Sequence, residues 1–134
     1  MGNQIIKKVS FQDVQYAQSN EHVTIINTLP ENEQTLLIYK TIMANQEIQE
    51  VERAIQTKRI IILYGKNSND ETIYVKYNQI VKLGGIVYIY IGGLFEWLLL
   101  QDIYGTDLFK TTNKTIDILK FKPNNILNTN YITY

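Results

Sequence analysis

The run Arg59-Ile60-Ile61-Ile62-Leu63-Tyr64 constrains the fold more than any other stretch of this chain. It is apolar on both of its alternating faces, so it reads as a central parallel strand that needs a covering layer on each side. The flanking sequence supplies those layers. Upstream, from Asn45, the apolar residues Ile48, Val51, Ala54 and Ile55 recur at spacings of three and four among charged residues and predict an amphipathic helix ending near Lys58. Downstream, Gly65-Lys66-Asn67-Ser68-Asn69-Asp70 is built of turn residues. Ile73, Tyr77, Ile80, Val81 and Leu83 then predict a second helix, closed by Gly84-Gly85. Val87-Tyr88-Ile89-Tyr90 reads as another strand, Gly92-Gly93 as a turn, and Leu94 to Tyr104 as a helix buried around most of its circumference.

The first part of the chain extends this alternation. Ser10-Phe11-Gln12-Asp13 carries a hydroxyl with a carboxylate three residues on, a capping-box variant that opens a short helix through Gln18. Val23 to Leu29 is a buried strand between polar flanks, whereas Leu36 to Met43 fits strand or helix equally. After Gly105 the pattern weakens, and Ile116 to Phe121 is the last element expected. Strands alternating with helices predict an α/β domain with a mainly parallel central sheet flanked by helices, spanning residues 1–122 and followed by an Asn-rich tail at 123–134.

Composition excludes several chemistries. The chain has 134 residues, no cysteine and one histidine, His22, which removes thiolate catalysis and disulfides and leaves zinc almost without ligands. No metal and no cofactor are expected. Formal net charge is zero and no basic block exceeds Lys7-Lys8, so nucleic acid is not an expected partner. The apolar stretches, Ile60 to Tyr64, Ile86 to Ile91 and Trp97 to Leu100, fall far short of the roughly 20 residues that span a bilayer. With no apolar signal core at the N-terminus, the expectation is a cytoplasmic protein. Abundant Ile, Asn, Lys and Tyr suggest an AT-rich genome of the parasitic or large-virus kind, in which case host cytoplasm or virion is the setting. Gly2 is a candidate for myristoylation with Lys7-Lys8 as basic supplement, although Ile6 stands where such motifs carry Ser or Thr.

The segment from Arg59 to Trp97 holds a buried strand ending in Tyr64, a loop from Gly65 and a helix to Leu83. Gly84-Gly85, the strand Val87 to Tyr90, Gly92-Gly93 and Trp97 follow in order. This succession resembles the second half of the rhodanese family of sulfurtransferases. Ser10 to Val14 resembles the family's opening, and Val23 to Asn27 its first core strand, without the Asp-Val-Arg motif that normally follows. The resemblance implies a three-layer domain in which a loop cysteine carries sulfur as a persulfide within a cradle of amides. Here Gly65 occupies the nucleophile's position, and Lys66-Asn67-Ser68-Asn69-Asp70-Glu71 brings two carboxylates and no arginine to the place of an anionic donor. No catalytic residue is therefore assigned, and the domain is expected to be inactive, serving as an interaction or structural module for a protein partner or as a homo-oligomer.

Alternatives attach to the same residues. Ser68 as a nucleophile needs a base, and His22 has no sequence reason to reach it. Asp70 and Glu71 read as general acid and base for a reaction such as phosphate-ester hydrolysis, as hard-cation ligands with Asn67 and Asn69, or as carboxylates favouring a helix dipole. Lys66 reads as a phosphate ligand or a solvated lysine. Tyr64, Tyr74, Tyr77, Tyr88 and Tyr90 read as stacking platforms or as core and sheet residues with surface hydroxyls. The helix from Leu94 places Leu94, Trp97 and Leu98 on one face, with Phe95, Leu99 and Leu100 on its flanks. These six form either an interaction surface or a core covered by Ile116, Ile118, Leu119 and Phe121, the tail residues Ile126, Leu127, Tyr131 and Ile132 then projecting outward.

Overall fold

The computed structural model describes residues 5–127. Its centre is a three-stranded parallel sheet in the order β1 (Val23–Asn27), β2 (Ile60–Tyr64), β3 (Ile86–Tyr90), with Ile61 level with Thr24 on one side and Val87 on the other. Helices α1 (Phe11–Ala17), α2 (Glu47–Gln56), α3 (Thr72–Lys82) and α4 (Gly93–Tyr104) cover it. The α2 and α3 crossovers advance in the same direction across the sheet, and crossovers of one hand put successive helices on one side. They pack Val51, Ala54, Ile73, Tyr77 and Ile80 against Ile26, Ile61, Leu63, Val87 and Ile89. The alternate strand residues Ile25, Ile62, Tyr64 and Tyr90 face α1 and α4. Two cores on the two faces of one sheet make a three-layer α/β domain.

Local chemistry fixes the element ends. Ser10 caps α1, its Oγ accepting the Gln12 amide while its own amide donates to Asp13 Oδ2 at 2.9 Å, the expected capping box. At the end of α3 the amides of Gly84 and Gly85 donate to the carbonyls of Val81 and Ile80, and Gly84 takes φ +98°. The same paired closure ends α2, with Lys58 and Arg59 donating to Ile55 and Ala54, but there the left-handed residue is Lys58 at φ +57°.

Both sheet edges are covered. Ile89 exchanges hydrogen bonds with Lys7 and Val9, and Ile25 accepts the Ile42 amide at 2.8 Å, so short extended segments shield β3 and β1 from other chains. Leu36 to Met43 is neither strand nor helix. Its amides go instead to the Tyr64 hydroxyl, to Thr112 Oγ1 and to the Lys110 carbonyl, while Leu36, Leu37 and Ile38 are buried.

Several outward-facing positions correct the expected core. Ile48 and Leu83 sit on the solvent side of α2 and α3, because the helix faces turn away from the sheet at those points. Among the residues expected to fold over α4, Phe121 is buried and Ile118 packs against the core, but Ile116 and Leu119 are exposed. Phe109 makes the cover complete, lying edge-on to Trp97 with ring centroids 5.1 Å apart. Among the described residues no helix is long and apolar enough to cross a membrane. Gly2, Tyr131 and Ile132 lie outside the described residues.

Candidate functional site: the loop after β2

The loop from Gly65 to Glu71 leaves the carboxyl end of the central strand, where parallel α/β sheets place their ligand crevices. It borders an open cleft of about 950 Å³ whose walls include Thr28, Glu33, Lys66, Asp70, Tyr74 and Lys122. The loop's interior is filled by its own carboxylate. Asp70 Oδ2 accepts the Lys66 amide at 2.9 Å and the Thr28 hydroxyl at 3.1 Å; Oδ1 accepts the Thr72 amide at 3.1 Å and the Thr72 hydroxyl. A carboxylate offers about four acceptor sites, and all four are occupied. Partial burial raises the proton affinity of Asp70, but these hydrogen bonds outweigh it and hold the carboxyl below its ordinary pKa.

Gly65 has no room for a side chain. A Cβ there would lie 2.5 Å from Asp70 Oδ2 and 2.9 Å from Ile73 Cγ2. Beyond it the loop turns carbonyls, rather than amides, toward the start of α4: Gly65 accepts the Leu94 amide at 3.0 Å and Lys66 the Phe95 amide at 2.9 Å. Gly93, at φ +68°, permits this approach, since a Cβ would meet the Gly65 carbonyl oxygen at 2.6 Å. Asn67 is buried and does two jobs, accepting the Asn69 amide at 2.9 Å and donating to the Phe121 carbonyl at 3.0 Å. The arrangement ties the loop to the 3-10 turn Ile118–Phe121.

The other candidates take less engaged positions. Ser68 and Asn69 are exposed, as is Glu71 at the start of α3, and the Lys66 ammonium lies 5.9 Å over the Phe121 ring. His22 precedes β1, at the opposite end of the parallel sheet from this loop, so it is no base for Ser68. Among the described residues no three carboxylate or histidine groups converge as a cation site needs, and both polar ends of the Asn67 amide are already used.

The tyrosines divide. Tyr64, Tyr77 and Tyr90 are core residues, while Tyr74 and Tyr88 are partly exposed. The Tyr64 hydroxyl is interior rather than at the surface, accepting the Ile38 amide at 3.1 Å and pairing with Thr41 Oγ1 at 2.8 Å. Burial raises its pKa above the ordinary phenol range. Tyr90 donates to Glu96 Oε2 at 2.6 Å, and burial together with that carboxylate raises its pKa as well.

The expected interaction surface needs correction. Leu94, Trp97 and Leu98 are fully buried beneath Phe109 and Phe121, and Phe95 and Leu100 are half-buried against the same core. The Trp97 indole N–H donates to the Lys110 carbonyl at 3.0 Å, so even its polar edge is satisfied internally. Of the six residues only Leu99 is exposed, and the apolar surface continues instead through Ile103, Tyr104 and Leu108.

Sequence reasoning missed Thr28 as a loop partner, and it placed Phe121 over α4 and Ile126 in an outward tail rather than beside the loop and its cleft, which Asn124 also borders. Thr28 had a signal, since it leaves the carboxyl end of the strand next to β2 and parallel strands end on the same side. The others come from a return of the chain that no local pattern announces.

Comparison with known proteins finds no matching family model and no matching curated relative. Two solved structures resemble the chain. A protein of Bacillus halodurans aligns with TM-score 0.58 at 13% identity, over 87% of this chain and 90% of its own. A full-length protein from Lactobacillus plantarum aligns with TM-score 0.53 at 14% identity, over 70% and 82% respectively. At such identity the likeness concerns the fold alone.

Proposed function

We propose that the chain is a rhodanese-like domain without sulfur-transfer chemistry, retained as an intracellular protein-interaction module. The observation that carries the reading is the packing of Gly65 against Asp70. Where the family resemblance puts a thiolate and an anionic sulfur donor, this chain has a glycine and a carboxylate that already takes the Lys66 amide. A second anion entering there would meet a fixed negative charge and a shortage of free donors. The same bonds count against Asp70 as a general base, which needs a free lone pair directed at its substrate. With the loop committed to its own closure, the exposed apolar residues of α4 are the better candidate for function.

Two measurements test this. Thiosulfate or mercaptopyruvate with cyanide is expected to yield no thiocyanate above background, and a signal that scales with protein and survives repurification would sink the reading. A photo-reactive residue at Ile103, in protein expressed in its native cell, is expected to give a discrete crosslinked product, and one at Ser68 none. Crosslinks from Ser68 alone would return attention to the loop.

A further inference from the structure

The outer side of α4 is apolar where a surface helix is normally polar. Leu99 and Ile103 lie one turn apart and are 40% and 69% exposed, and Tyr104 and Leu108 continue the patch. The patch is held in shape from beneath, because the Tyr104 ring lies 6.2 Å from that of Phe109, which packs on Phe11 at 5.4 Å, and Gln15 Nε2 donates to the Leu108 carbonyl at 2.7 Å.

Two carboxylates neighbour these residues in sequence, Asp102 beside Ile103 and Asp107 beside Leu108. Asp102 and Asp107 are exposed, and neither takes part in an ion pair among the described residues. No lysine or arginine occurs between Leu99 and Leu108. Asp102 belongs to the last turn of α4, which has no basic residue, so its charge faces the negative end of the helix dipole and works against the fold. Among the described residues these charges form no ion pair, and the side chains of Leu99, Ile103, Tyr104 and Leu108 beside them in sequence remain 40–69% exposed.

Resting on the module reading above, we infer that this face docks an amphipathic helical segment of a protein partner, its apolar side on Leu99, Ile103, Tyr104 and Leu108 and its flanking lysines or arginines on Asp102 and Asp107. Apolar anchors at successive helical turns meet the apolar patch, and cationic flanks meet the carboxylates that the fold leaves unpaired.

The test uses the full chain and two synthetic amphipathic peptides of about 18 residues with the same leucine spacing, one carrying lysine and the other glutamate on its polar face. Fluorescence anisotropy at low and physiological salt is expected to show binding of the lysine peptide, weakening with salt, and none of the glutamate peptide. The double change Asp102→Lys, Asp107→Lys should weaken the lysine peptide about tenfold and confer binding of the glutamate peptide. Ile103→Ser should lose both, with unchanged circular dichroism showing that these surface variants remain folded. Failure of the lysine peptide to bind, or equal binding by the charge-reversed protein, overturns the inference. A dimer in sedimentation that Ile103→Ser abolishes overturns it in favour of a second copy. Peptide binding that appears only after removal of residues 128–134 overturns it in favour of that segment. A partner crosslinked from Ile103 that presents no cationic helix leaves the module reading standing and ends this one.

Discussion

At position 65 the lack of a side chain lets the Asp70 carboxylate fill the loop. A cysteine there forces Cβ into Asp70 Oδ2 and Ile73, so Gly65→Cys is expected to destabilise the fold by about 1–3 kcal/mol and to gain no sulfurtransferase activity. Thermal melts and the thiocyanate assay read both outcomes, and near-family rates from the single change would refute the steric argument. Asp70 carries a pH signature of its own. Its folded pKa is depressed, so its contribution to stability is present above the unfolded carboxylate value of about 3.9 and is lost as pH falls through the lower folded value. Denaturant midpoints measured from pH 6 downward should therefore fall more steeply for the native chain than for Asp70→Asn, whose curve is flatter below about pH 4.

Among elements, the legible ones were those whose signal is local. The three strands, the helices α1 to α4 and the glycine closure of α3 each follow from period, capping residue or Gly placement within a dozen positions. Leu36 to Met43 stayed ambiguous because its conformation is dictated from afar, by Tyr64, Lys110 and Thr112. The helix after Gly93 was read as buried and Ile118 and Phe121 were named among its possible covers, whereas Phe109, whose ring packs edge-on to Trp97, carried no local signal. The loop residues were named from the sequence, whereas the filling of the loop by Asp70 needed Thr28, the residue that follows β1. The end of α2 yields a sharper test of local chemistry. Lys58 adopts the left-handed conformation that α3 gives to Gly84, and a side chain there costs about 1–2 kcal/mol of backbone strain. Lys58→Gly should accordingly raise stability by about 0.5–1 kcal/mol after the entropy of a freer unfolded chain is subtracted, whereas Gly84→Ala should lower it by a similar amount. Urea titration of the two variants checks the pair, and a destabilised Lys58→Gly would show that its side chain is worth more than the strain.

At the scale of the whole molecule, a sheet of three strands with two open edges would offer unpaired backbone to any extended chain, and its apolar strands would make that pairing favourable. The fold prevents this with two short segments rather than with full strands. On the β1 side the cover is a single amide, Ile42 to Ile25, set within a segment anchored by Tyr64 and Thr41. On the β3 side it is the reciprocal pair between Ile89 and the residues Lys7 and Val9, with Ile6 and Val9 packing on the rims of the two cores. The second cover is the one that a deletion removes without cutting into an element of the sheet. Deleting residues 1–9 keeps α1 and the buried residues of both cores, takes Ile6 and Val9 from their rims, and bares β3, whose Ile86 is already exposed. The truncated chain should retain its helical circular dichroism while associating in a concentration-dependent manner, seen by light scattering. A lysine at Ile86, which points to solvent on this edge, should suppress the association by charging it. If the truncated protein stays monomeric at high concentration, residues 5–9 are ornament rather than cover. Association that persists with Ile86→Lys but vanishes with Ile103→Ser would instead place the contact on the outer face of α4.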